Sequence, residues 1–332
     1  MIKARIYKNV LRDIKMDNEK EFIIPEGVTA IAPGILQDTT FEKIVFPSTL
    51  NFLPDEACKD NKYLKTVVFN NCTLNGIPKG TFEDCINLEN VEISNDIVIF
   101  SHRAFASCTS LKSINLPAGF LKVDTEAFAY SGIEEFIGSP SLREIGQNAF
   151  YKCKNLKTVE LPDHMQHICD YAFAKCESLK EIEVPDFVHI IRTGTFQDCI
   201  NLEKIKFNES LNRISNYSFQ NCRKLKAIIF PASLNSVCRG AFNNCMHLEE
   251  LHFNSKTYID KTAFPDIHLF KQEKIKIYTP KINILENTIP ENLLKVSEVF
   301  VDDYTIDDLL EAGMSMSKIN DTFVKNKECM EK

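Results

Sequence analysis

Cysteine recurs at a regular spacing through most of the chain, and its side chain has the widest chemical range of any residue type in the sequence. A cysteine thiolate is a nucleophile and a metal ligand, and two thiols form a disulfide when their geometry permits. The chain holds 12 cysteines. Seven of them follow one another at intervals of 23 residues, with one interval of 45: Cys85, Cys108, Cys153, Cys176, Cys199, Cys222 and Cys245.

A second group with chemical potential is the stretch His164-x-x-His167-x-Cys169. These residue types suit a metal ion, but a structural zinc site takes four ligands and no fourth ligand is evident nearby. We therefore expect no metal. A Cys–His nucleophilic pair stays open, because its members need only meet in space. The chain contains no G-x-G-x-x-G or G-K-[ST] sequence, so we expect neither a cofactor nor catalytic residues.

The composition is that of a globular or repeat protein, with 332 residues, of which 44% are hydrophobic and 26% charged. A formal net charge of −7 without a basic tract argues against a nucleic-acid partner. No apolar run reaches the roughly 18 residues of a membrane span. Residues 1–22 lack the apolar core of a secretory signal. These features favour a cytoplasmic protein with reduced thiols, and a secreted or surface-displayed protein is the alternative.

Phenylalanine recurs with the cysteines and defines an internal repeat. Ala, Thr or Ser precedes it, an aliphatic or aromatic residue lies five positions earlier, and Leu usually lies six positions later. Leu36 and Cys58 occupy the same column upstream, which makes eleven units of 22–24 residues. The nine phenylalanines, 22 or 23 residues apart, are Phe82, Phe105, Phe128, Phe150, Phe173, Phe196, Phe219, Phe242 and Phe264.

Each unit contains the pattern of one short strand. In LKTVELP, residues 156–162, apolar and polar residues alternate, with Val159 and Leu161 on the buried side. Pro162 ends the strand, because proline cannot donate to a continuing ladder. A unit of 23 residues with a single strand cannot bury its apolar residues alone. We therefore predict that the units stack into a curved solenoid.

The full unit, I-x-x-x-A-F-x-x-C-x-x-L-x-x-I-x-[LVF]-P, resembles the BspA-type leucine-rich repeat from about Phe22 to Pro280. The chain departs from this pattern at Gly138-Ser139, at Ser131 in place of cysteine, and in the first two units, which lack Phe. The resemblance implies a repeat solenoid, a leucine-rich-repeat arc of about eleven units with a parallel β-sheet on the concave face. It also implies a binding protein with no activity of its own.

The ends of the array differ from its middle. Residues 273–280, EKIKIYTP, are predicted to form the last strand. Beyond them, Thr305 with Asp308 resembles a capping box and Gly313 a helix stop, so a short α-helical C-terminal segment is expected. It either covers the last repeat as a cap or forms a separate partner-binding module. The predicted regions are an N-terminal cap at 1–21, the repeats at 22–280, and a C-terminal cap or helical segment at 281–332.

The repeat changes the interpretation of the cysteine column. Equivalent atoms of stacked units lie about 4.8 Å apart, whereas bonded cysteines need Cβ atoms about 3.8 Å apart on converging vectors. Translated copies have parallel vectors, so neighbouring cysteines are not expected to bridge. Free cysteine also packs as a small hydrophobic residue. We predict a structural column, and Ser131, a near-isosteric replacement, supports that prediction.

Function is expected on residues that face away from the core and vary between copies. Two residues flank the inward Ile or Val of each strand, and they form two columns on the concave face. Several glutamates make an acidic strip, a step of lysines follows, and Val68 is an apolar anchor. The predicted partner-binding residues are Asn90, Glu92, Asn115, Glu135, Thr158, Glu160, Glu181, Glu183, Lys204, Lys206, Ile229 and His252.

We expect a protein partner of basic or mixed charge on this face, with charge setting orientation and association rate more than affinity. The preferred function is a non-catalytic protein–protein interaction scaffold. A merely solvated sheet face is the alternative for these residues. Two other functions stay open, namely a secreted or surface-displayed adhesin and an enzyme with a reactive surface cysteine.

Overall fold

The structure is a computed structural model that describes residues 3–15, 19–264, 275–280, 288–294 and 297–302. The chain divides into two compact units, Met1–Leu179 and Lys180–Lys332. Each is a stretch of leucine-rich-repeat β-solenoid with turns spaced about 23 residues apart, and the units together comprise about eleven turns. The predicted repeat is therefore confirmed.

Unit 1 carries two rows of parallel strands, a longer and a shorter strand in most turns. Apolar residues alternate with polar ones in the longer strands, so one side is buried and the other exposed. The longer strands are Glu21–Ile23, Lys43–Phe46, Thr66–Phe69, Asn90–Glu92, Glu135–Ile137 and Thr158–Glu160. The shorter strands are Ala30–Ile31, Gly76–Ile77, Ile99–Phe100, Lys122–Val123, Glu144–Ile145 and His167–Ile168.

The same register is kept from turn to turn. Val67, for example, lies between Ile44 of the preceding turn and Val91 of the following turn. Residues of one sequence column therefore stack on one another, which buries an apolar core that no single turn could bury alone.

Unit 2 repeats this arrangement, and the described part also includes one short helix, Glu291–Leu294. None of the described helices is long and apolar enough to cross a membrane. The longer strands are Glu181–Glu183, Lys204–Lys206, Ala227–Phe230, Glu250–Phe253, Ile275–Pro280 and Ser297–Asp302. The shorter strands are Ile190–Ile191, Arg213–Ile214, Ser236–Val237 and Tyr258–Ile259.

The strand predicted at residues 273–280 is formed at Ile275–Pro280, but the prediction that it is the last strand was wrong. Strand Ser297–Asp302 pairs in parallel with Ile275–Pro280, with Ser297 opposite Ile275, 22 residues earlier. This further turn lacks the A-F-x-x-C sequence, so the repeat pattern did not reveal it. The boundary at residue 280 stays a prediction, and the helices predicted around Thr305 and Gly313 lie outside the described residues.

A β-hairpin precedes the first repeat. Strands Lys3–Tyr7 and Val10–Lys15 pair antiparallel across a turn at Lys8 and Asn9, both with positive φ. The second hairpin strand then pairs in parallel with Ala30–Ile31 and buries Leu11 completely. The assignment of residues 1–21 as an N-terminal cap stays a prediction, and the hairpin has a position that suits it.

The phenylalanine column forms a ladder of stacked rings in each unit. Neighbouring ring centroids lie 5.3–5.4 Å apart in unit 1 and 5.0–5.4 Å apart in unit 2. Such pairs add about 0.5–1.5 kcal/mol to the free energy of burial. The stacked and buried rings are those of Phe82, Phe105, Phe128, Phe150 and Phe173 in unit 1, and of Phe196, Phe219, Phe242 and Phe264 in unit 2.

The backbone adopts positive φ two residues before and two residues after each stacked phenylalanine from Phe82 to Phe242. At Phe105 these residues are Arg103, with φ 57°, and Ser107, with φ 59°. The N–H groups of all three residues donate to backbone carbonyls of the next turn at 2.8–3.1 Å. This second ladder was not predicted, because half of its left-handed positions from Gly80 to Asn244 hold residues other than the Gly, Asn or Asp that favour them.

One predicted longer strand of unit 1 is not formed. Residues 113–115 keep the alternation, with Ile114 buried between two exposed residues. Among the described residues, however, they make no ladder hydrogen bond with Asn90–Glu92. The alternation of buried and exposed side chains was therefore predicted correctly, but the prediction of a hydrogen-bonded strand was wrong. Val159 and Leu161, placed in the core from the sequence, are only half-buried.

Candidate functional site

The exposed side of the longer strands, together with the exposed residues of segment 113–115, is called the strand face below. It carries every predicted partner-binding residue, and His252 alone among them is half-buried rather than exposed. Their inward neighbours Val91, Ile182 and Ile228 are buried. The alternation therefore places the side chains as predicted, while their binding role stays a prediction.

In unit 1 the predicted acidic strip is interrupted. Glu92 lies opposite Val68 in the ladder. Glu160 lies opposite Ile137, which is 50% exposed, and Glu135 belongs to the other outward column. Apolar and uncharged side chains thus separate the three glutamates, and unit 1 presents a surface of mixed character rather than a uniform acidic strip.

An apolar stripe occupies the first three turns of the strand face. Ile23, Val45 and Val68 lie side by side in the ladder. Ile23 is 64% exposed, and the other two are half-buried. Only Val68 was identified from the sequence. Ile23 and Val45 could have been identified from the sequence, because they occupy the same outward column as Val68.

In unit 2 the predicted acidic and basic residues face each other across neighbouring strands. Glu181 lies opposite Lys204, and Glu183 lies opposite Lys206. The Lys206 ammonium forms an ion pair with the Glu183 carboxylate. Both side chains are exposed, so the pair contributes little to stability. Its effect is to offset part of the acidic charge that the sequence predicted on this face.

Further along unit 2, the strand face becomes apolar and aromatic. Ile229 is 62% exposed and lies opposite His252. The His252 ring stacks on Tyr278 at a centroid distance of 4.2 Å, and its Nε2 lies 3.4 Å from Oε2 of Glu250. This packing explains why His252 is less exposed than its column predicted.

A ladder of alternating lysine and glutamate borders the strand face of unit 1, and the sequence prediction missed it. Its members stand immediately before each longer strand or before segment 113–115. The ion pairs Lys20–Glu42, Glu42–Lys65, Lys112–Glu134 and Glu134–Lys157 measure 2.5–3.4 Å. A comparison of the residues that follow the recurrent leucine in successive repeats would have revealed the alternation of lysine and glutamate. The flanking ladder consists of Lys20, Glu42, Lys65, Glu89, Lys112, Glu134 and Lys157.

The flanking ladder lowers the pKa of two of its carboxylates, those of Glu42 and Glu134. Hydrogen bonds from Lys157 and then Lys112 lower the pKa of Glu134, and those from Lys20 and Lys65 lower that of Glu42. Exposed pairs of this kind add little stability. Opposite charges in neighbouring turns nevertheless favour the observed register, because a slip of one strand would move each lysine away from its glutamate.

The cysteine column is buried and hydrogen-bonded. All seven members are fully buried. The thiols of Cys108 and Cys153 each donate to the carbonyl of a phenylalanine one turn earlier, at 3.0 Å. Burial raises the pKa of Cys153 to about 12 and that of Cys108 well above its usual value. Thiols of this kind are poor nucleophiles at neutral pH. The prediction of a structural column is confirmed, with a donor role that it did not include.

In the stretch from His164 to Cys169, His164 and Cys169 are half-buried, and His167, which lies in a shorter strand, is exposed. Within the part of the chain that the structure describes, no three His, Cys, Asp or Glu side chains are grouped as metal ligands would be. The structure therefore assigns no site to this stretch.

Known proteins resemble the chain at two levels. The family model "BspA type Leucine rich repeat region (6 copies)" matches residues 29–157 and 143–271. A leucine-rich repeat protein from Bacteroides ovatus is 21% identical, with a TM-score of 0.73 over 84% of this chain and 70% of that chain. At that identity the likeness concerns the fold alone.

Two further solved structures are more distant. A leucine rich cell surface protein from Faecalibacterium prausnitzii is 17% identical, with a TM-score of 0.43, and the match covers 96% of this chain and 95% of that one. The pneumococcal vaccine antigen PcpA is 18% identical, with a TM-score of 0.45, covering 91% and 97%. No curated protein matches the sequence. Since the family model spans well over half of the residues, the chain belongs to the BspA-type leucine-rich repeat family.

Proposed function

We propose that the protein is a non-catalytic scaffold that binds a protein partner on the strand face. One observation carries the proposal: the core columns repeat the same residue types, whereas the exposed strand-face residues differ from turn to turn. A solenoid of stacked strands offers an extended surface of this kind for binding. Folding requires the repeated core columns, whereas the exposed columns are free to vary and can therefore be shaped to a partner.

The charge pattern favours a partner of mixed character. Unit 1 offers separated carboxylates beside exposed aliphatic side chains, such as Glu160 opposite Ile137. Unit 2 sets Glu181 and Glu183 against lysines of the next strand. Alternating charges fix the register in which a partner docks, and they reject partners that place like charges opposite.

A non-catalytic role is supported by the state of the thiols. All seven column cysteines are completely buried, so the column lacks the exposed thiolate of a catalytic cysteine. Burial also raises the pKa of five of them, namely Cys85, Cys108, Cys153, Cys222 and Cys245. Within the described residues, no specific observation favours another nucleophile.

A cytoplasmic location belongs to the same proposal. All eleven cysteines in the described part of the chain are free thiols, and a chain rich in free thiols suits a reducing compartment. Fractionation of the source cells with an antibody to the full chain tests this. Detection on intact cells would contradict it and favour the adhesin.

Charge reversal on the strand face tests the binding proposal. The triple variant Glu160→Lys, Glu181→Lys, Glu183→Lys is expected to lose the partner that the native chain captures from the source cell, as measured by quantitative mass spectrometry. Undiminished capture would contradict the proposal.

The matched control reverses three exposed acidic residues in turns, Asp163→Lys, Asp186→Lys and Glu209→Lys. It changes the net charge by the same amount but leaves the strand face intact. Equal loss of the partner in both variants would assign the effect to net charge rather than to this face.

A further inference from the structure

The row of shorter strands in unit 1 contains an asparagine followed by a glycine, Asn75-Gly76, and the sequence holds no other such pair. Asn75 is exposed and lies in a bend immediately before strand Gly76–Ile77. Packing requires the glycine, because a Cβ atom at position 76 would lie 2.4 Å from Cγ2 of Ile99. The backbone nitrogen that follows Asn75 therefore has no side chain of its own residue to shield it.

Strand Gly76–Ile77 is the edge strand of its sheet on the side of the preceding turn. Among the described residues it pairs only with Ile99–Phe100 of the following turn. Residues at the same place in other turns donate their N–H groups to a carbonyl of the preceding turn, as Lys122 and His167 do at 3.2 and 3.1 Å. Gly76 makes no such hydrogen bond to a described residue. Its backbone nitrogen is therefore open to reaction.

The missing hydrogen bond coincides with an extra residue in the third unit. The interval from Cys58 to Phe82 is 24 residues, one more than the usual 23. Phe69 still lies 23 residues after its ladder partner Phe46, so the extra residue follows Phe69. The chain turns tightly there, since Asn71 has φ 49° and donates its N–H to the Phe69 carbonyl at 2.9 Å. The shorter strand that follows begins one residue later than the repeat would place it.

We propose that Asn75 is a site of self-modification, at which the side-chain amide is lost through a cyclic imide. The Gly76 backbone nitrogen attacks Cγ of Asn75, and the new C–N bond closes a succinimide ring. The Cγ–Nδ2 bond breaks, and Nδ2 leaves as ammonia with the proton that the Gly76 N–H group loses. Water then adds to one of the two imide carbonyls, and the ring opens to aspartate or to isoaspartate. Water is the only other reactant.

Both products change the row of shorter strands. Each carries one more negative charge than the amide. In isoaspartate the main chain runs through the former side chain, so the carbonyl that continues the backbone is displaced by one carbon atom. The Asn75 carbonyl accepts the N–H group of Val98 in the following turn at 3.0 Å, and this hydrogen bond is expected to weaken. The reaction is independent of binding on the strand face.

Ageing of the full chain at mildly alkaline pH, followed by peptide mapping, tests the site. Mass spectrometry with electron-transfer fragmentation measures amide loss at each asparagine and distinguishes isoaspartate from aspartate. The internal control is Asn235-Ser236, which occupies the same column and is also exposed, but the Ser236 N–H group donates to the Asn212 carbonyl at 3.3 Å. Loss at Asn75 is expected to be at least about tenfold faster than at Asn235. Equal rates, or an unchanged Asn75, would overturn the proposal.

The same measurement in guanidinium chloride separates the effect of the fold from that of the sequence. Unfolding removes every backbone hydrogen bond, so it exposes both backbone nitrogens equally. The rate at Asn75 in the folded chain is expected to lie within about threefold of the unfolded rate, because the Gly76 nitrogen is already open. The rate at Asn235 is expected to rise much more on unfolding. Equal protection of the two asparagines by folding would contradict an open nitrogen at Gly76.

The matched variant Asn75→Gln removes the reaction, because the longer side chain closes its ring far more slowly. The aged native chain is expected to unfold at a lower temperature than the fresh chain, as isoaspartate accumulates and the hydrogen bond from Val98 is lost. The aged variant is expected to keep the unfolding temperature of the fresh variant. Equal losses in both chains would contradict the effect assigned to Asn75.

Discussion

The phenylalanine and the cysteine of each turn are equally buried, yet they stabilise the solenoid by different means. The Phe150 ring stacks between Phe128 and Phe173, with both centroids at 5.3 Å, and meets Phe136 edge-on at 4.8 Å. Cys153 makes one hydrogen bond to a backbone carbonyl and lies 3.4 Å from the Ser131 hydroxyl. The ring packs against the turns before and after it, whereas the thiol contributes one hydrogen-bond donor.

Phe150→Ala is expected to lower the free energy of unfolding by about 3–5 kcal/mol, because it leaves a cavity within the ring ladder. Cys153→Ser is expected to cost about 1 kcal/mol, because a hydroxyl can donate to the same carbonyl. Serine already occupies this column at Ser131. Urea unfolding followed by circular dichroism measures both, and equal losses would show that the two packing roles are wrongly assigned.

At the scale of the single turn, the backbone of the fifth unit approaches the preceding turn closely at a glycine. Gly132 donates its N–H to the Cys108 carbonyl at 3.0 Å. A Cβ atom at this position would lie 2.0 Å from the Thr109 carbonyl oxygen, so only glycine fits. This unit is one residue shorter than most, and it follows directly on segment 113–115, where the strand ladder is open.

Gly132→Ala is therefore expected to destabilise the protein by about 1–3 kcal/mol through the clash with backbone. The control is Gly119→Ala, since a Cβ atom there would meet nothing within 4 Å. We expect that control to change stability by less than about 1 kcal/mol. Thermal unfolding compares the two variants, and an unaffected Gly132→Ala would contradict the close approach of the two turns.

Ion pairs also join turns of unit 1. The buried Glu83 lies 2.7 Å from Arg103 and 3.4 Å from Lys59, and Arg103 reaches Glu126 at 2.5 Å. Burial by itself would raise the pKa of Glu83, but the hydrogen bond and charge of Arg103, with the charge of Lys59, outweigh it and lower that pKa. A lowered pKa in the folded state means that the stabilisation is present at neutral pH and is lost as the pH falls through the folded-state pKa.

Arg103→Met is expected to cost about 1–3 kcal/mol at pH 7, because it leaves a buried carboxylate with fewer partners. The difference from the native chain should shrink as the pH falls from about 5 to about 2, where Glu83 becomes protonated in both proteins. Arg143→Met, at an exposed position, is the control and should show little effect at any pH. A difference that does not change with pH would show that Arg103 acts through packing alone.

Across the whole molecule, the features that recur in every repeat could be predicted from the sequence. Stacked columns such as that of Phe150, and the outward placement of residues such as Glu160, follow from one unit copied many times. The last described strand, Ser297–Asp302, lacks the repeated pattern and was missed. The absence of a strand at segment 113–115 was not predicted, because the alternation of buried and exposed residues continues through this segment, while the hydrogen bonds to strand Asn90–Glu92 do not. Pairing between turns depends on the spacing of neighbouring backbones, which side-chain patterns do not record.

Binding on the strand face is tested most directly by carboxyl-group footprinting of the full chain with and without its captured partner. Labelling of Glu92, Glu160 and Glu181, all exposed in the unbound structure, is expected to fall when the partner binds. Labelling of Asp163, Asp186 and Glu209, the exposed residues in turns, is expected to stay the same. Protection of the second set without protection of the first would contradict binding on this face.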